Sequence, residues 1–271
     1  MRITINDELD LQKIAESGQT FRAVPAADGY RFIHQTHILH IRPLSAWQFE
    51  VDCDRSTWHR VWAPYFDLNR SYAAIRLSIT GDDFLQAAAQ NGIGLRVLKQ
   101  DPWEMLISFL ISQRKSIPAI CRCIEALCDR YGQSVDTAHG PVHLFPTPEA
   151  LAAADADGLR ACGVGYRLPY LQDAALRVST GLTDPDLLAY LPDDALLSAL
   201  MQVRGVGIKV AGCVMLFAYG RTASVPIDTW IGKIIDRQYA GKNPFPAYGD
   251  AAGILQQYAF AYAIAHKDLW K

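Results

Sequence analysis

Two apolar helical stripes, Leu196, Leu197 and Leu200 on one side and Val210, Cys213, Val214 and Phe217 on the other, flank the segment Val203-Arg204-Gly205-Val206-Gly207-Ile208-Lys209. A connection so short, with glycines at alternate positions, lets the second helix fold back tightly on the first, because glycine adopts backbone angles closed to other residues. The fold-back leaves N–H groups at the start of the second helix without intrahelical acceptors, and such a start can hold a DNA phosphate. Nineteen residues after Lys209, the stretch Val225-Pro226-Ile227-Asp228-Thr229-Trp230 sets Asp228 at the mouth of a further helix running to about Gln238. Each signal alone has an ordinary reading: a tight helical hairpin, a solvated helix lysine, an N-cap aspartate.

The rest of the chain places this hairpin in an α+β protein. Strand signals run from about Thr20 to Asp52: Tyr30-Arg31-Phe32, Ile38 to Arg42, and Trp47 to Asp52 in strict apolar/polar alternation, with turns at Ala27-Asp28-Gly29 and Pro43-Leu44-Ser45. Helical character begins near Ser56 and dominates from there. Asp101-Pro102 opens a helix with Trp103, Leu106, Ile107, Leu110 and Ile111 on one face. Its neighbour carries Ile117, Ile120, Cys121, Ile124 and Cys128, with Ser116 as N-cap and Pro118 in the first turn. The basic turn Gln113-Arg114-Lys115 joins the two. The expected division is a small N-terminal antiparallel sheet domain with flanking helices over residues 1–80 and a mostly helical domain over 81–271, whose last helix packs back toward the first.

With 271 residues, half of them hydrophobic and a fifth charged, the chain is neither disordered nor collagen-like, and it has no apolar run long enough for a membrane helix. Residues 1–10 lack the apolar core of a signal peptide, so a cytoplasmic protein is expected. The net charge of −2 argues mildly against a nucleic-acid partner, but phosphate is bound by a local patch that the sum can hide. Cysteines 53, 121, 123, 128, 162 and 213 form no Cys-x-x-Cys pair and read as small hydrophobes rather than disulfides or a zinc site, with Cys121 and Cys128 on one helix face and Cys123 off it.

Taken together, Gly205, Val206, Gly207, Lys209, Ala211, Pro226 and Asp228 resemble the motif of the helix-hairpin-helix (HhH-GPD) DNA glycosylase superfamily, with Arg204 where a proline often stands. Within it the chain most resembles 8-oxoguanine DNA glycosylase/AP lyases of bacterial type. The likeness covers Ser17-Gly18-Gln19-Thr20-Phe21-Arg22, Tyr65 to Leu68, Leu95 to Pro102, Gly165-Tyr166-Arg167 and Ala252 to Phe260. It implies a bifunctional repair enzyme acting on double-stranded DNA that contains oxidised guanine. The enzyme would need no divalent metal or organic cofactor, would have room for a monovalent cation on hairpin backbone carbonyls, and would be a monomer.

By the same resemblance Lys209 and Asp228 are the catalytic pair. Breaking an N-glycosidic bond develops positive charge on the sugar, which an ionised carboxylate stabilises, while a neutral amine captures C1′ as a Schiff base and permits β-elimination. The lesion must first be flipped from the stack. Gly18 corresponds to the carbonyl that accepts the N7–H found in 8-oxoguanine and absent from guanine. Gln256 and Phe260, one helical turn apart, correspond to the amide on the Watson–Crick edge and the stacking ring, and Cys213 to the residue on the other face of the base. Tyr166 corresponds to a duplex wedge and Arg167 to a contact with the orphaned partner base. Gln113, Arg114 and Lys115 stand in the turn that fills the gap, with Arg114 on the plug position, and Gly205 and Gly207 at the phosphate-binding hairpin.

Two further departures qualify the match. Ala119 stands where many relatives carry a second cytosine-reading arginine, so a relaxed opposite-base preference is expected, and Trp230 replaces a histidine of some relatives and is given no role. The alternatives are an endonuclease III-like enzyme, whose four-cysteine iron–sulfur loop is missing after Cys213, an alkylated-base glycosylase, which usually lacks the lysine, and a non-catalytic DNA-binding module.

Overall fold

The computed structural model describes residues 1–270. Its internal contacts divide the chain into two compact units: residues 1–32, 38–99 and 220 onward, and residues 33–37 with 100–219. The boundary anticipated at residue 80 therefore falls inside the first unit. The strands are β1 (Arg2–Thr4), β2 (Val24–Ala26), β3 (Gly29–His34), β4 (His37–Pro43), β5 (Gln48–Val51), β6 (Ser134–Thr137) and β7 (Gly140–His143). The helices used below are α1 (Leu11–Glu16), α2 (Asp83–Asn91), α3 (Pro102–Ser112), α4 (Ile117–Tyr131), α5 (Leu168–Ser179), α6 (Asp193–Leu200), α7 (Ile208–Phe217), α8 (Thr229–Tyr239) and α9 (Ala252–Ala265).

In the first unit the sheet has the order β1-β5-β4-β3-β2. The alternation read in β5 holds: Phe49 and Val51 are buried, paired with Ile3 and Ile41, while Gln48 and Glu50 point away. Trp47, counted in the same alternation, lies outside the strand and is exposed. The edge strands β1 and β2 escape a sequence reading because three residues are too few to show a period. Beneath the sheet Phe32 meets Phe66 edge-on at 5.2 Å, and Phe66 meets Tyr65 at 5.1 Å, a geometry that aromatic quadrupoles favour. Helix α9 packs on α2 and on α8.

Arg96 is completely buried in this unit. Its guanidinium donates to the carbonyls of Phe66 (2.8 Å), Asp67 (2.5 Å), Arg70 (2.8 Å) and Glu8 (3.1 Å) and to Asp7 Oδ2 (3.3 Å), and lies 4.0 Å above the Tyr72 ring. One side chain thus satisfies the backbone of two segments distant from it in sequence, residues 8 and 66–70, which is the condition under which a buried charge is tolerated.

In the second unit α3 starts as the sequence indicates, with Asp101 Oδ1 accepting from the Glu104 N–H at 2.8 Å and Pro102 in the first turn. The single apolar face does not hold: every residue from Trp103 to Ile111 is buried, because α4, α5 and α7 all pack around α3. On α4 the buried stripe is Ile120, Cys123, Ile124, Leu127 and Cys128, while Ile117 and Cys121 are half-buried. Cys121 and Cys128, seven residues apart, share a face as expected, with Cys121 only half-buried; the stripe is wider than anticipated and buries Cys123 on its opposite edge, and Ser116 makes no side-chain cap. The β6–β7 hairpin lies within a stretch read as helical. All six cysteines are free thiols. Among the described residues no helix is long and apolar enough to cross a membrane.

Burial pushes the Asp7 carboxyl up, but the Glu8 and Tyr72 N–H groups and the Arg96 guanidinium together hold it below its ordinary value of 3.8. A carboxylate depressed in the folded state stabilises the fold above its unfolded value, and that contribution is lost as pH falls through the folded value. Urea unfolding is expected to show Asp7 supporting stability at neutral pH, with the support declining below about pH 4, and Asp7→Asn flattening that decline. Arg96→Met should cost about 3–5 kcal/mol by leaving Asp7 and four carbonyls unmet; a loss under about 1 kcal/mol would contradict the role given to Arg96.

Candidate active site

The connection between α6 and α7 is held by Val203 and Val206, both buried, with the Val206 N–H on the Val203 carbonyl at 3.0 Å. Gly205 has φ +86°, and a Cβ there would lie 2.5 Å from the Tyr170 ring, so both angle and space demand glycine. Gly207 differs. Its backbone is extended, at φ −98° and ψ 179°, and an added Cβ would meet nothing within 4 Å. Only Gly205 therefore makes the fold-back, which corrects the reading that both glycines serve it. Gly207 precedes α7 without a side-chain cap and leaves open space before the first-turn N–H groups.

Lys209 is half-buried in that first turn, with Nζ 5.4 Å from the Phe109 ring centroid and no ion pair among the described residues. Phe109 in turn stacks on the buried Phe217 of α7 at 5.5 Å, which fixes the ring that faces the amine. Cys213, one turn further along α7, is buried.

Gln113, at the end of α3, ties the surrounding segments together. Its Nε2 donates to the carbonyls of Leu110 and Gly205, each at 3.2 Å, and its own carbonyl accepts from the Tyr166 hydroxyl at 3.3 Å and from Arg167 Nη2. Arg167 is only 4% exposed, donates further to the Val164 carbonyl at 3.3 Å and lies 4.3 Å over the Tyr166 ring. The structure thus turns Arg167 inward, against the expectation of a side chain presented to a partner base. Tyr166 itself is 52% exposed. Lys115 Nζ is held by the Gly163 carbonyl at 2.6 Å, and Arg114 stands exposed at the tip of the turn with φ +51°.

In the first unit, Gly18 has φ +73°, a conformation that favours glycine. Its neighbours fix it there: Ser17 Oγ donates to the Ile14 carbonyl at 2.6 Å, and the fully buried Gln19 donates to Ser17 Oγ (2.9 Å) and the Arg96 carbonyl (2.8 Å) while accepting from the Leu98 N–H (2.7 Å). Asp228 caps α8, with Oδ1 accepting from the Ile231 N–H at 2.8 Å, so the ordinary N-cap reading is true and compatible with a second role for a half-buried carboxylate. Gln256 is buried on α9 and accepts from Gln257 Nε2 at 3.4 Å; Phe260 follows one turn later, half-buried. Gln19 and the Gln113 carbonyl carry positioning roles that sequence reasoning missed, although Gln19 stood in a quoted motif.

Residues 2–106 match the family model of the 8-oxoguanine DNA glycosylase N-terminal domain, and residues 107–252 that of the HhH-GPD superfamily base excision DNA repair protein. A probable N-glycosylase/DNA lyase of Methanothermobacter thermautotrophicus is 28% identical over 97% of this chain and 96% of its own. The structure of MBOgg1 in complex with a low affinity DNA ligand superposes with a TM-score of 0.92 at 30% identity, covering 98% of this chain and 96% of the other. The Clostridium acetobutylicum 8-oxoguanine glycosylase/lyase, in complex with double-stranded DNA containing cytosine opposite 8-oxoguanine, gives 0.89 at 28% identity, covering 98% of both.

The two hairpin glycines should separate in thermal melts. Gly205→Ala is expected to destabilise by about 1–3 kcal/mol through its positive φ and the Tyr170 clash, and Gly207→Ala to stay within about 0.5 kcal/mol of wild type. Equal losses at the two positions would contradict the geometry.

Proposed function

Because the chain belongs to the HhH-GPD superfamily of base excision DNA repair proteins and carries the 8-oxoguanine DNA glycosylase N-terminal domain ahead of it, we propose that it excises 8-oxoguanine from duplex DNA through a Schiff base on Lys209 and then nicks the strand. The observation that carries this reading is the Lys209 amine: half-buried over Phe109, without an ion pair among the described residues, in the first turn after the hairpin.

In this reaction the lone pair of Lys209 Nζ bonds to C1′ as the N-glycosidic bond breaks, and the base leaves with the bonding pair and takes up a proton. Ring opening gives the protonated imine, loss of a C2′ proton expels the 3′ phosphate by β-elimination, and hydrolysis frees the lysine. Asp228, ionised and held by its cap bond, stabilises the positive charge on the sugar. The Gly18 carbonyl accepts the lesion's N7–H, a contact that guanine would leave unmade. Gln256 reads the Watson–Crick edge, and Phe260 and Cys213 take the two faces of the flipped base. Gly205 shapes the hairpin and Gly207 keeps its first-turn N–H groups open to a phosphate. Tyr166 wedges the duplex, with Gln113 and Lys115 holding the turn and loop, and Arg114 enters the gap.

The reaction needs no divalent metal or organic cofactor, since amine and carboxylate supply its chemistry. A monovalent ion at the hairpin would sit on backbone carbonyls such as Val203, which has one lone pair left beside its bond to the Val206 N–H. The enzyme acts as a monomer on double-stranded DNA, in the cytoplasm at the nucleoid.

Lys209→Gln should abolish both base release and nicking of an 8-oxoguanine duplex, and Asp228→Asn should slow release by about a hundredfold or more. Nicking by Lys209→Gln at the wild-type rate would contradict the assignment. Duplex affinity should fall steeply between about 50 and 200 mM salt, and a flat response would count against phosphate docking on the hairpin.

A further inference from the structure

An acceptor for N7–H does not by itself single out guanine, because oxidation at C8 puts the same proton on 8-oxoadenine. The two lesions differ at the Watson–Crick edge, where guanine sets the acceptor O6 beside the donor N1–H and adenine sets the donor N6–H beside the acceptor N1. A glutamine amide can meet either edge: Nε2 and Oε1 fit the guanine pattern in one orientation and the adenine pattern after a half-turn about the last side-chain bond. In the proposed excision reaction, on which this inference rests, Gln256 is the reader, and something must hold its amide in the guanine orientation.

Gln256 and Gln257 stand side by side on α9, 2% and 5% exposed. Gln257 Nε2 donates to Gln256 Oε1 at 3.4 Å, and among the described residues neither side chain makes another hydrogen bond. Gln257 Oε1 is buried without a partner. A buried acceptor left unmet is destabilising, and a methionine of similar length would avoid it. What an amide contributes here beyond methionine is the single bond that it donates. That bond selects one orientation of Gln256, since turning the reader alone would bring Nε2 against Nε2, donor against donor. Turning both amides would bury the Gln257 NH2 group without an acceptor where its Oε1 now stands, and orphaned buried donors are tolerated less well than orphaned carbonyls.

We propose that Gln257 is a positioning residue which, through Gln256, makes the enzyme select 8-oxoguanine over 8-oxoadenine. Gln256 Oε1 keeps one lone pair for the lesion's N1–H, and its Nε2 keeps both protons, one of them for O6. In the same place 8-oxoadenine sets its N6–H against Nε2 and its N1 against Oε1. Donor then meets donor and acceptor meets acceptor, and polar sites reject such a mismatch more strongly than a change of size.

The test is single-turnover release of 8-oxoguanine and of 8-oxoadenine, each opposite C, by wild type, Gln257→Met, Gln256→Ala and the double variant. Nicking of an abasic duplex, which has no base to read, reports that each preparation is folded and active. Gln257→Met leaves the Gln256 amide free to turn, so the ratio of the 8-oxoguanine rate to the 8-oxoadenine rate should fall about tenfold or more while abasic nicking stays within about threefold of wild type. With Gln256 already replaced by alanine, adding Gln257→Met should change the ratio by less than about twofold, because a residue acting through Gln256 has nothing left to act on. Equal wild-type rates for the two lesions, a ratio that Gln257→Met leaves within about twofold, or the same fall in both backgrounds would overturn the inference and leave the excision reaction standing. Loss of abasic nicking in Gln257→Met would overturn it too, by marking a structural role. Release of neither base by wild type would overturn the proposed function and this inference with it.

Discussion

The Gln113 amide and carbonyl are the interaction on which the arrangement of the end of α3, the hairpin and the loop at residues 163–167 depends. A side-chain amide offers two donors and a backbone carbonyl two lone pairs, and here they reach Leu110, Gly205, Tyr166 and Arg167. Three segments far apart in sequence, the end of α3, the hairpin and the loop at residues 163–167, are thereby fixed to one another by short-range bonds. Since phosphate docking and base reading require these segments at set spacings, small losses of order here would be felt in binding without touching the chemistry. Arg167 contributes through its burial, as a fastener for the turn at residues 113–115.

The first unit uses the same device. Gln19 spans Ser17, the Arg96 carbonyl and the Leu98 N–H, and Arg96 gathers carbonyls from residues 8, 66, 67 and 70. The left-handed turn at Gly18, which follows the C-cap Ser17 of α1, is held by this buried polar network as well as by the helix end. Such networks stabilise only when fully satisfied, and they hold a backbone carbonyl with a precision that apolar packing does not give.

Much of this was legible in the sequence because it is local. The Gly205, Gly207, Lys209 and Asp228 spacing declares a hairpin, an amine and a capped carboxylate over 24 consecutive positions, and Asp101-Pro102 and the β5 alternation announce their elements. What was not legible depends on tertiary partners. A periodic stripe on α3 gave no sign that the helix would be buried all round, and on α4 a narrow stripe left out Cys123, which packing buries on its far edge. Arg167 read as a surface base contact because its acceptor is a main-chain carbonyl 54 residues away, which no side-chain pattern encodes. Gln113 and Gln19 look like ordinary polar residues in sequence for the same reason. Edge strands β1 and β2 and the β6–β7 hairpin, at three or four residues each, fall below the length at which periodicity can be counted.

The central claim is covalent: Lys209, and no other amine, bonds to C1′ of the lesion. Borohydride trapping on a duplex with one 8-oxoguanine opposite C, followed by mass mapping of the adduct, measures it directly. A trapped complex whose sugar remnant maps to Lys209, and which is lost in Lys209→Gln, is the predicted result. Base release without any trapped complex, or an adduct on another amine, would contradict the account.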